Sequence, residues 1–124
     1  MTSEFVHLHN HSDYSLLDGA QRVDQLVNTI DDLNMDSLAL TEHGNMFSVV
    51  PFYKHAKNTG IKPIIGCETY VAVGSRHDKK PASGGGWGNN HLILLVQNQT
   101  GYQNLIKLVT AGYLEGFYYR PRID

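Results

Sequence analysis

At 124 residues, with 41% hydrophobic and 18% charged side chains, the chain suits one soluble globular domain with a modest core. This composition excludes a disordered segment and a multi-domain assembly. The net charge of −2 is unevenly placed: residues 1–50 hold eight acidic residues against one basic, and residues 51–124 hold nine basic against four acidic. The first half therefore suits cations and the second suits phosphate. Cys67, the single cysteine, excludes an internal disulfide and fits a reducing compartment. Met1-Thr2-Ser3-Glu4 shows no basic stretch leading into an apolar run, and Leu92 to Val96 is far too short to cross a bilayer. A cytoplasmic location without membrane contact is expected.

In chain order, the first predicted element is a strand over residues 5–9. Its sequence, Phe5-Val6-His7-Leu8-His9-Asn10-His11, places a histidine at every second position. Alternation along a strand sends His7, His9 and His11 to one face and gives Val6 and Leu8 to a packed core on the other. Three neighbouring imidazoles are costly to bury unless something accepts their nitrogens, which a metal ion does well. The alternative is a solvent-facing, histidine-rich strand end. Residues 12–20 read as a polar loop containing Asp18-Gly19. Val23, Leu26, Val27, Ile30 and Leu33 then follow helical spacing.

A short strand is predicted over residues 37–41, with the turn Glu42-His43-Gly44-Asn45 at its C-terminal end. A second helix runs from about Phe47 to Asn58, where Pro51 is tolerable only in the first turn and Gly60 fits a C-cap. The next strand centres on Ile64-Ile65-Gly66-Cys67-Glu68. Residues 74–90 are glycine-rich but lack the Lys-Ser/Thr pair and helix start of a phosphate-cradling loop, so a mobile loop is expected. Residues 91–97 give another strand, residues 102–114 another amphipathic helix, and the tail a short edge strand. This alternation predicts an α/β fold of parallel strands with covering helices. A closed (β/α) barrel needs about 250 residues, so the chain accounts for roughly half of one, as one domain over residues 1–124. Open strand edges should then recruit further chain or a second copy, so self-association is expected.

Functional groups of parallel α/β folds collect at the C-terminal ends of strands. His9 and His11 end the first predicted strand, His43 follows the second, Glu68 ends the core of the third, and Asp18 lies in a loop able to fold back. Such a nitrogen and oxygen donor set suits zinc, manganese or iron better than calcium. His91 fits less well because it begins its strand; closing the preceding loop is an equal reading. His55 and His77 read as solvated, and Cys67, facing away from Glu68, as core.

The segments His7-Leu8-His9-Asn10-His11-Ser12, Ser15-Leu16-Leu17-Asp18-Gly19, Leu40-Thr41-Glu42-His43-Gly44 and Gly66-Cys67-Glu68-Thr69-Tyr70 resemble motifs of the PHP (polymerase and histidinol phosphatase) domain family. His91 to Leu95, Gly101 to Leu105 and Glu115 to Arg122 resemble the branch found at the N-terminus of bacterial DNA polymerase III alpha subunits, rather than the free-standing phosphatases. The resemblance implies an incomplete PHP-type barrel. It also implies metal ligands at His9, His11, Asp18, His43, Glu68 and His91, of which the first five would carry catalysis and Glu68 would bridge metals. His7 and Glu42 stand where many relatives have Asp and would support the ligands from behind. The family's later ligands and the polymerase domains have no counterpart in this sequence, so the chain reads as an N-terminal fragment.

The activity so implied is metal-dependent phosphoester hydrolysis, as a 3′–5′ exonuclease acting on a primer 3′ end within a DNA-directed DNA polymerase (a nucleotidyltransferase) of DNA replication. A zinc or manganese cluster would serve it, with magnesium at the absent polymerase site. The remaining alpha-subunit domains and replisome subunits would be its partners, and Arg76, Lys79, Lys80, Arg120 and Arg122 its contacts to the nucleic-acid backbone. Weak metal occupancy and little catalysis are expected of the fragment alone. Two other readings are a non-catalytic module that braces the polymerase or docks a proofreading subunit, and a phosphoesterase resembling histidinol phosphatase.

Overall fold

The computed structural model describes residues 4–80 and 89–124. The glycine run at 84–88, expected to be a mobile loop, and the N-terminal tripeptide lie outside the described residues. Three helices, α1 (Val23–Asp32), α2 (Val49–Thr59) and α3 (Gln99–Leu114), accompany five strands. These are β1 (Ser37–Leu40), β2 (Lys62–Ala72), β3 (Asn89–Leu95), β4 (Phe117–Tyr118) and β5 (Arg120–Ile123).

Apolar residues at 23, 26, 27 and 30 put one buried stripe on α1. That stripe packs with Phe52 and Ala56 of α2, Leu38 and Leu40 of β1, and Met35 and Ile61 from the connections. Full burial of a Leu or Phe side chain is worth about 1.5–3 kcal/mol, so this cluster fixes β1 and the helices that cover it. Pro51 is the third residue of α2, where a helix needs no N–H donor, and Gly60 ends the helix at φ 83°. Asn98 caps α3 by accepting the Gly101 N–H at 3.0 Å.

β2 is the spine of the sheet. Along one edge it pairs in parallel with β1 through Ser37↔Lys62 to Leu40↔Ile65, and further on with β5 through Tyr70↔Arg122. A parallel bridge between His43 and Glu68 fills the gap between those two ladders. Along the other edge β3 runs antiparallel, from Gly66↔Leu95 to Ala72↔Asn89. β4 closes a tight antiparallel turn onto β5 through Tyr118↔Arg120.

The fold is thus an α/β arrangement whose parallel strands form an unclosed sheet, as expected, but two of its strands run against the rest. The strand expected at residues 5–9 is also shorter than foreseen. It makes a single bridge, His7 to Leu38, and its carbonyls at His7 and Asn10 accept the Ala39 and Thr41 N–H groups at 2.9 Å each. Leu8, expected in the core, is 47% exposed, because this segment rests on β1 by its backbone rather than by an apolar face.

Candidate metal centre

The site forms where β2 passes the ends of the N-terminal segment and β1. Glu68 is 3% exposed at the centre of β2, and imidazoles from three other segments converge on its carboxylate. His9 Nε2 lies 2.6 Å and His11 Nε2 3.0 Å from Oε2. His43 Nδ1 is 3.7 Å from the same oxygen, and His91 Nδ1 pairs with Oε1. Asp18 comes from the loop after His11, its Oδ2 2.7 Å from His43 Nε2.

Each donor residue has a local reason to be where it is. His9 and His11 share a side of an extended segment, two residues apart, and their Nε2 atoms approach to 3.2 Å. The backbone bridge to Glu68 carries His43, and Gly44 then turns the chain at φ 61° with its N–H bonded to the Glu68 carbonyl. Because β3 is antiparallel, its first residues lie beside the C-terminal half of β2: His91 pairs with Tyr70, two residues past Glu68. The direction of β3 removes the spacing objection to His91. Tyr70 walls the cluster, stacked 6.2 Å from His43 and edge-on 4.9 Å from His91.

The electrostatics are those of a negative centre ringed by basic nitrogens. Burial pushes the Glu68 carboxyl up, but the hydrogen bond from His9, the charge of His43 and the hydrogen bond from His91 outweigh it and hold the group below its ordinary value. Burial and the neighbouring His43 hold His11 below its usual range. The His43 hydrogen bond likewise lowers Asp18.

Among the described residues, the buried side-chain nitrogens left without a hydrogen-bond partner are His11 Nδ1 and His43 Nδ1. The orphaned His43 Nδ1 lies 3.7 Å from the buried Glu68 carboxylate, and a cation between them would satisfy both. Three overlapping donor groups result: His9, His11 and Glu68; His11, Asp18 and His43; His43, Glu68 and His91. Within each group the ligand atoms lie within 4.8 Å of one another. This mixed imidazole and carboxylate donor chemistry fits a cluster of divalent cations.

Of the supporting residues, Glu42 is 1% exposed and faces the loop of residues 12–18, not a ligand ring. His7 does not join the cluster: it is exposed, and its ring meets Phe5 edge-on at 4.8 Å. The triplet of histidines is a pair for this purpose, because the chain leaves the extended pairing on either side of His7.

The basic residues divide sharply. Arg122 is 3% exposed and donates to the carbonyls of Gly116, Arg76 and Asp78, so it braces the tail instead of meeting a phosphate. Arg76 is paired with Glu115 and Asp124, and Lys79 donates to the Glu115 and Arg76 carbonyls. Arg120 alone among the five reaches the site, its guanidinium 5.6 Å from the Tyr70 ring centre. Lys80 is exposed.

The residues the sequence reading missed are Ser12, Ser15 and Tyr70. The hydroxyls of Ser12 and Ser15 both donate to the Glu42 carboxylate. Their signal was weak but present: a small hydroxyl residue directly after His11, and another three residues before Asp18. Tyr70 was legible from its place two residues after Glu68 on one strand.

A family model for the PHP domain matches residues 7–124. DNA polymerase III subunit alpha of Borreliella burgdorferi is 55% identical over 122 residues, which cover 98% of this chain and 10% of that protein. The subunit of the same name from Thermus aquaticus is 50% identical over 123 residues, with the same coverage. The chain therefore spans about a tenth of the length of these relatives. Two solved structures share the fold. One is an amidohydrolase from Chromobacterium violaceum with bound sulfate and no metal (TM-score 0.54, 21% identity, 86% of this chain and 34% of that one). The other is described as a metal-dependent phosphoesterase from Bifidobacterium adolescentis (TM-score 0.55, 14% identity, 91% of this chain and 36% of that one).

Proposed function

The chain belongs to the PHP domain family, and on that footing we propose that it is the metal-dependent phosphoesterase module at the N-terminus of a replicative DNA polymerase III alpha subunit. The observation that carries this reading is the convergence of His9, His11, His43 and His91 on the buried Glu68 carboxylate. In this reading the substrate is a DNA 3′ end, the activity is 3′–5′ exonucleolytic, and the compartment is the bacterial cytoplasm. The rest of the alpha subunit and the replisome are its partners, and the missing later ligands come from sequence beyond Asp124.

His9, His11, Asp18, His43, Glu68 and His91 would hold zinc or manganese. When bound, such cations supply Lewis acidity, lowering the pKa of water and neutralising phosphate charge. The protein's own part is positional. Glu68 fixes the spacing of four imidazoles from inside the sheet. Asp18 keeps His43 turned toward the cluster by its 2.7 Å contact. Tyr70 shields one flank from water, and Arg120 stands over its ring where a phosphodiester entering along the β5 side would pass. The edge of β3 left unpaired among the described residues would favour self-association of the isolated piece, which light scattering over a concentration series would reveal.

The experiment is elemental analysis plus hydrolysis of a 5′-labelled single-stranded oligonucleotide by the full-length subunit, with Glu68→Gln and a chelator as controls. Expected are bound zinc or manganese, shortening from the 3′ end, and loss of both in the two controls. A metal-free wild type would overturn the hydrolytic reading in favour of a bracing or docking module. A preference for small phosphomonoesters over the oligonucleotide would favour the histidinol-phosphatase-like alternative.

A further inference from the structure

Glu42 lies one residue before His43, yet its carboxylate does not face the cluster. It is almost completely enclosed, and every donor it takes comes from the loop that separates His11 from Asp18. The Ser12 N–H lies 3.2 Å from both carboxylate oxygens. The Ser12 hydroxyl donates to Oε1 and the Ser15 hydroxyl to Oε2. The Ser15 oxygen in turn accepts the His43 N–H at 3.1 Å. One buried charge therefore ties the start of the loop, its middle and the backbone of a ligand histidine together.

From that tie the loop curls inward by its own backbone. The Ser15 carbonyl accepts the Asp18 N–H at 3.2 Å and the Gly19 N–H at 2.8 Å. The loop closes so tightly that a Cβ on Gly19 would meet the Ser12 carbonyl oxygen at 1.7 Å. Leu16 and Leu17 at its tip are each 89% exposed, so no apolar packing holds the loop shut. Asp18 is also exposed, and its side chain meets His43. Its position thus depends on Ser15, and Ser15 on Glu42.

We infer that Glu42 is the positioning residue that assembles the His11–Asp18–His43 donor group, while leaving the donor groups centred on Glu68 largely to the sheet. This rests on the metal-centre reading above and adds to it a division of labour between loop-built and sheet-built ligands. A buried charge whose partners are all hydroxyls and one amide is costly to strand, so removing a single hydroxyl should loosen the loop without breaking β2.

The test uses the full-length subunit with Ser15→Ala, and Glu42→Ala as a stronger second variant. Zinc titration should show one class of cation weakened by about tenfold or more, the usual effect of losing an orienting partner, with the remaining binding within about twofold of wild type. Deuterium uptake across residues 13–19 should rise while uptake in β2 stays unchanged. Equal weakening of all bound cations, or unchanged loop uptake in a folded Ser15→Ala protein, would overturn the inference. Should Glu42→Ala fail to fold, Ser15→Ala decides alone. If wild type bound no cation, the metal-centre reading would fall, and loop uptake would still judge the Glu42 tie.

Discussion

Oδ2 of Asp18 lies 2.7 Å from Nε2 of His43, joining a loop and a turn that are 25 residues apart in sequence. The contact lowers the Asp18 carboxyl through that hydrogen bond first, so the aspartate stays ionised well into acid. Asp18→Asn keeps the shape and removes the charge. Zinc affinity of the donor group it shares with His11 should fall at least about tenfold, the range for disturbing a ligand's immediate support. Isothermal titration would read the loss, and an unchanged far-ultraviolet circular dichroism spectrum would show that the fold had survived.

Acid should undo the metal-free site before it undoes the core. The folded-state values of His11 and Glu68 are both depressed, so each contributes stability that is present above its unfolded value and lost as pH falls through its folded one. For His11 the contribution is complete above its ordinary 6.5 and fades below it. For Glu68 it fades below 4.5. Urea midpoints of metal-free protein should therefore drop first as pH falls below 6.5 and again below 4.5, in a series carried from pH 8 down to about pH 3; a flat profile would refute the assignment.

Gly44→Ala tests how closely the turn after His43 is fitted. Its φ of 61° disfavours any Cβ, and that atom would meet Pro121 Cγ and the Tyr70 ring at 2.9 Å each. Strain of this kind costs about 1–3 kcal/mol, visible as a lowered denaturation midpoint. Because Tyr70 must move, zinc binding should weaken too. Gly60→Ala gives the contrast: it has a positive φ but nothing within 4 Å of the new atom, so only stability should change.

Cys67 should be inert. Burial pushes its thiol up to about 12, and its Sγ–H points at the Glu42 carbonyl 3.5 Å away. Native protein should not react with a disulfide reagent at pH 8, whereas urea-unfolded protein should react at once. The raised value also means that its contribution to stability is full below the unfolded value of 9.0 and is lost as pH climbs toward the folded one.

Arg120→Ala should raise KM for a single-stranded oligonucleotide roughly tenfold, the order of one charge-assisted contact, while leaving bound metal unchanged. Arg122→Ala should behave in the opposite way. It strips donors from three carbonyls and should lower stability, because its guanidinium serves the fold. Steady-state kinetics and thermal melts on the two variants separate these roles.

Much of this was legible in the residues. The spacing of Val23, Leu26, Val27 and Ile30 located α1, and Gly60 marked the end of α2 within a residue. His9, His11, His43 and Glu68 were placed on one rim by strand alternation and strand ends. The direction of β3 was not legible, because an apolar run such as Leu92 to Leu95 reads the same in either sense. His91 was therefore recovered by family likeness, not by spacing. Parity alone also failed at His7, since it cannot say where an extended segment stops pairing. Arg120 and Arg122 flank one proline and look equivalent in sequence. Only the β5 ladder beside Tyr70 buries the second and leaves the first in solvent.

One strand, β2, touches β1, β3 and β5 and carries Glu68 midway along its length. The donor groups centred on Glu68 and the sheet's cohesion hence hang on the same backbone, so slackening β2 would loosen both. An ion seated on Glu68 would act as a rivet through the whole domain, so chelation should shorten the protein's lifetime in the presence of protease as surely as it silences any chemistry.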